Sequence, residues 1–148
     1  MRLSILFISV LCLSGASADA HQTLTNLGTL TCTTSEAPAS TLRDANISCH
    51  FRAHSGRDGN YTGHITRRGP ADLPPGKRVL IWTVLGRGAV DARDLSGSFR
   101  GKTGGTPTSA LIGGKNSSFR LEPVTSTSQI GDQPTPTVLS LTLAPRRV

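Results

Sequence analysis

The chain has 148 residues, of which 36% are hydrophobic and only 4% aromatic, and it carries a formal net charge of +7. That length suits one domain with a core built mainly from Leu, Ile and Val. The basic residues are scattered singly or in pairs such as Arg67-Arg68 and Arg146-Arg147, not concentrated on one element beside aromatics. This pattern sets nucleic acid aside as a partner and reads first as a solvated basic surface, with acidic lipid, polysaccharide or a partner protein as what such a surface would meet.

The first predicted element is a leader. Arg2 supplies a positive start, Ile5 to Leu13 a short apolar stretch, and Ser14 to Ala20 a small-residue exit, so residues 1–20 read as a signal peptide. Cleavage is expected after Ala20, with Ala18 as the alternative. The apolar stretch of nine residues is far short of the roughly 20 that cross a bilayer as a helix. No longer apolar run follows, so no transmembrane segment is expected and residues 21–148 are placed in the periplasm or outside the cell. Cys12 raises lipidation as a rival, but it lies within the apolar stretch, with Ser9 and Leu11 where a lipoprotein signal would carry a leucine and a small residue.

Period-two alternation runs through the rest of the chain, and sustained helical periodicity is absent. Leu27 to Cys32 is the first predicted strand, and Ser35 to Asn46 the one place for a short helix. Ile47-Ser48-Cys49-His50-Phe51 and Tyr61-Thr62-Gly63-His64-Ile65 flank a turn at Ser55 to Asn60 containing Gly56 and Asp58-Gly59, which predicts a hairpin centred near Arg57. Val79 to Leu85 is apolar throughout and suits a strand covered on both faces, with Leu80, Trp82 and Val84 sharing one of them. Strands follow at Leu95 to Gly101, Ala110 to Gly113, Phe119 to Leu121 and Val138 to Leu143, the last with Leu139, Leu141 and Leu143 on one side. Proline and glycine mark Pro70 to Gly76, Gly104 to Pro107 and Gly131 to Thr137 as loops. About seven to nine short strands at this spacing predict an all-β fold, a small antiparallel β-barrel or β-sandwich. Cys32 and Cys49 are the cysteines left after cleavage, and two in an oxidising compartment read as one structural disulfide.

These strand residues also carry a resemblance. Gly28-x-Leu30-Thr31-Cys32, Cys49-x-Phe51, Tyr61-x-Gly63-x-Ile65, Leu80-x-Trp82-x-Val84, Leu95-x-Gly97-x-Phe99-x-Gly101, Leu111-Ile112-Gly113-Gly114 and Ser118-Phe119-x-Leu121-x-Pro123 occur in the order seen in an exported bacterial family, domain of unknown function 992, which the chain resembles. The resemblance implies a small protein of the bacterial envelope with the two matching cysteines paired, and it brings no catalytic residues. The glycine-rich stretch usual before the Gly-Gly pair is shortened here to Gly104-Gly105-Thr106-Pro107-Thr108-Ser109, and Pro134 and Pro136 stand in a stretch usually rich in Gly, Asn and Ala.

No motif for catalysis or for a cofactor is evident. His50 and His64 would face each other on a hairpin centred near Arg57, and with Asp58 or His54 they are the candidate metal ligands. A solvated cross-strand polar pair accounts for them equally well, so no metal is expected. Serines are abundant but none lies in Gly-x-Ser-x-Gly, and Asp91, Asp94 and Glu122 form no recognisable dyad. The expected function is therefore a non-enzymatic binding or structural β-domain, with a small periplasmic hydrolase as the alternative. A cavity holding a histidine bonded to a carboxylate or serine would favour the hydrolase. A carboxylate-free apolar cavity would favour lipid or ligand binding, and a filled interior with an exposed apolar patch a protein partner.

Overall fold

A computed structural model describes residues 23–35, 42–68, 78–87, 95–102, 104–106, 109–124 and 137–147. The predicted leader, Cys12, Asp91, Asp94 and the proline loops 70–76 and 131–136 lie outside the described residues.

Eight strands are present: β1 (Thr25–Thr34), β2 (Leu42–Ala53), β3 (Gly59–Arg68), β4 (Val79–Gly86), β5 (Gly97–Arg100), β6 (Leu111–Gly113), β7 (Phe119–Pro123) and β8 (Thr137–Pro145). Each overlaps one of the runs of alternating or β-branched residues described above. They close into one barrel in the order β1-β2-β3-β8-β5-β6-β7-β4, with every neighbouring pair antiparallel. The only helical element among the described residues is a 3-10 turn at Lys115–Ser117. The chain thus resolves the barrel-or-sandwich alternative in favour of a barrel.

Closure explains which side chains are buried. An eight-stranded barrel encloses a space about wide enough for side chains to fill, and alternate residues point into it. Leu30, Phe51, Val84, Leu95, Phe99, Leu111, Leu121 and Leu141 are fully buried, with Tyr61 and Trp82 almost so. Cys32 and Cys49 face each other in register on β1 and β2 and are joined by a disulfide within this core. Backbones approach closely where glycine replaces an inward side chain. A Cβ on Gly63 would lie 1.7 Å from the Thr142 carbonyl oxygen, and one on Gly113 would lie 2.0 Å from that of Ser98.

Several expectations need correcting. The segment 42–46 is strand, not helix, because β2 continues its ladder with β3 down to Leu42↔Arg68. The β2–β3 register pairs Phe51 with Gly59, since Asp58 folds back to accept the Ala53 N–H at 2.9 Å and tightens the turn. The hairpin is therefore centred at residue 55, not at Arg57. β4 has one covered face, not two: Trp82 and Val84 are inside, but Val79 is 52% exposed, because a single-layer barrel leaves its outer face to solvent. A register shift between Thr66 and Arg67 puts Val138 against the core in the place expected for Leu139. Finally, Arg67 is not a surface charge. It follows Tyr61, Gly63 and Ile65 on the inward side of β3 and is 1% exposed, while Arg68 points out.

Two stability predictions follow from this packing. Cys32→Ser together with Cys49→Ser should lower stability by about 3 kcal/mol, since the bridge restrains the unfolded chain, and thermal melts should register a fall of about 10 °C. Gly113→Ala should lose about 1–3 kcal/mol in a denaturant titration, because the new methyl meets backbone that cannot swing away; an unchanged midpoint would contradict the close approach described.

Candidate functional site

The alternation that fills the barrel also divides its outer surface into unlike halves. On β2, β3 and β8 the outward positions carry short polar or basic side chains, among them Ser48, His50, Arg52, Thr62, His64, Arg68 and Thr142. The large hydrophobic residues exposed among the described residues are Leu24, Val79, Ile112 and Val124. All four belong to the opposite half. Val79 begins β4, Ile112 lies on β6, Val124 donates its N–H to Ile81 on β4, and Leu24 precedes the β1 end that pairs with Gly86. Ile81 and Leu85 of β4 add two half-buried apolar side chains to the same face.

Within this face is a cavity of about 380 Å³ lined by Leu24, Arg87, Ile112, Phe119, Arg120 and the turn residues Asn116, Ser117 and Ser118. The β6–β7 register, which pairs Gly113 with Phe119, leaves residues 114–118 to form the turn. Gly114 is the residue that fits at its start, because a Cβ there would lie 2.6 Å from the Phe119 ring. Asn116 and Ser117 both adopt left-handed backbone, with φ of 57° and 52°. For residues other than glycine this conformation costs on the order of 1–3 kcal/mol each. The turn is held by the Ser117 N–H on the Gly114 carbonyl at 3.1 Å and the Ser118 N–H on the Lys115 carbonyl at 3.2 Å.

The lining is cationic, polar and apolar, without a carboxylate. Arg120 Nε contacts Glu122 Oε1 at 3.0 Å, with both side chains 46% exposed. An exposed pair of this kind is worth at most about 1 kcal/mol, and it engages Nε, leaving the terminal guanidinium nitrogens able to meet a ligand. Such a site can hold an anion beside an apolar group. The barrel interior, by contrast, is occupied by its own side chains.

The histidines are not brought together. His50 pairs with Asn60 and His64 with Asn46, an offset of four residues, or roughly 13 Å along a strand. The cross-strand pair expected of them is therefore not formed, because the tighter turn moves the register. His50 Nδ1 instead bonds Asn60 Oδ1 at 2.9 Å on an exposed face, and Asp58 is engaged in the turn. Among the described residues no group of three or more His, Cys, Asp or Glu side chains could hold a metal ion. Ser96 Oγ is buried and has no hydrogen-bond partner among the described residues. Arg87 and Arg120 were not singled out from sequence. Only the positions next to the Gly113-Gly114 pair hinted at a turn, and nothing local links Leu24 or Arg87 to it.

Comparison with known proteins finds no match among curated proteins and none among solved structures. A family model described as protein of unknown function (DUF992) matches residues 11–144, so that the landmarks now seen as barrel-closing glycines, core aromatics and the paired cysteines are found in a chain that belongs to this family.

Proposed function

We propose that the chain is exported and serves in the bacterial envelope as a non-enzymatic binding barrel for an acidic ligand. The observation that carries this is the outer cavity, which sets the guanidinium groups of Arg87 and Arg120 beside the apolar side chains of Leu24, Ile112 and Phe119. The formal charge of +7 adds a general attraction for polyanions. Export is supported by the leader-like residues 1–20 and by the Cys32–Cys49 bridge, a bond that persists in oxidising compartments. No helix among the described residues is long and apolar enough to cross a membrane. The hydrolase alternative gains no specific observation among the described residues, where His50 is held by an amide oxygen on an open face.

Intact and native mass spectrometry of protein released from its own periplasm tests both parts. The chain should begin at His21, or at Asp19 if the earlier cut is used, and weigh two hydrogens less than the reduced form. An acidic molecule should remain bound to the wild type and be lost from the Arg87→Gln, Arg120→Gln double variant. A full-length chain retained in the cytoplasm with both thiols free would overturn the proposal.

A further inference from the structure

The cavity lies within a larger apolar face, and that arrangement narrows the ligand. We propose that the outer face of β6, β7 and β4 docks on an anionic lipid bilayer. Arg87 and Arg120 would meet headgroup phosphates while Leu24, Ile112 and Val124 enter the boundary between headgroups and acyl chains. This rests on the reading of the chain as a binding barrel for an acidic envelope ligand and specifies which ligand.

Three observations lead there. The exposed large hydrophobic residues are segregated, with none of the four on the β2–β3–β8 half. They share their half with Arg87, Lys115 and Arg120, all exposed, while Glu122 is already engaged by Arg120. The exposed apolar positions are aliphatic, with Phe51, Tyr61, Trp82 and Phe99 buried in the core and Phe119 reaching the cavity only from it.

An apolar strip edged by arginine and lysine has the composition of surfaces that lie in the interfacial zone of anionic membranes, where burial and electrostatic attraction act together. A polysaccharide would leave the aliphatic side chains with nothing to bury against. A protein partner would have to supply pockets shaped to these side chains, whereas aliphatic side chains enter a fluid phase without needing a complementary shape. A second copy of this chain would bring its own arginines and its +7 charge against the first. The left-handed pair Asn116 and Ser117 keeps the polar turn beside the arginines, at the level where headgroups would lie.

Co-sedimentation of the mature protein with phosphatidylglycerol and phosphatidylcholine vesicles, at low and high salt, provides the test. Binding is expected to the anionic vesicles and to weaken with salt. Near an anionic surface each arginine contributes about 1 kcal/mol, or about fivefold, so Arg87→Gln with Arg120→Gln should reduce partitioning by roughly 25-fold. Ile112→Ser with Val124→Ser should also reduce it, while circular dichroism stays unchanged because exposed substitutions barely affect folding. The control, Arg52→Gln with Arg68→Gln, removes the same charge from the opposite half and should reduce binding by less than about threefold. Equal losses from the two arginine pairs, or full binding by the serine variant, would overturn the proposal. Polygalacturonate bound in place of the vesicles would overturn bilayer docking and leave the acidic-ligand function standing. Failure to bind either would overturn both.

Discussion

Closure of the sheet is the constraint on which the molecule depends. β4 returns to pair with β1, and β8 inserts between β3 and β5, so strands distant in sequence complete one ring of hydrogen bonds. Left open, the same strands would expose their inward side chains, Trp82 and Phe99 among them, and would present edges able to pair with other chains. Closure also requires backbones to come together at Gly63 and Gly113, where carbonyl oxygens occupy the space a Cβ would need. The Cys32–Cys49 bridge lies inside this ring, with Cys32 paired to Cys49 on one side and to Leu80 on the other.

A closed single layer has one inside and one outside, and recognition is divided accordingly. Aromatic and aliphatic side chains fill the interior, so a ligand would meet the outer surface and the turns. The strand alternation that buries Trp82 and Val84 necessarily turns Ile81 and Leu85 outward. On β2 and β3 the outward positions hold threonine, serine, histidine and arginine, which suit water. On β4 and β6 they are aliphatic apart from Thr83, and the cavity with Arg87 and Arg120 opens beside them. The filled interior and exposed apolar face meet the condition for a protein partner, while the cavity, free of carboxylates but lined mostly by polar and cationic residues, meets the condition for lipid or ligand in part.

The strands were legible because alternation is a local property. Ile47 to Phe51, Leu95 to Gly101 and Phe119 to Leu121 each declare which side chains point inward within a few residues. Register was less legible. His50 and His64 were expected to face each other, but one side-chain hydrogen bond, from the Ala53 N–H to Asp58, shortens the turn and moves the pairing. Arg67 read as a surface charge because composition favours exposed arginine, yet strand phase carries it inside with Ile65. Leu139 gave way to Val138 at the core because a bulge in β8 is set by its partner strand.

By itself the sequence determined the all-β class, the runs from which the strands form, the paired cysteines and the family, since each is written in short stretches of side chains whose period and order need no knowledge of distant neighbours. The order of strands around the barrel, and the meeting of Leu24 and Arg87 with the turn at Asn116 and Ser117, were decided only in three dimensions. Those placements come from long-range pairing that minimises exposed edge and fills one enclosed volume, a condition satisfied by the whole chain at once and by no segment alone.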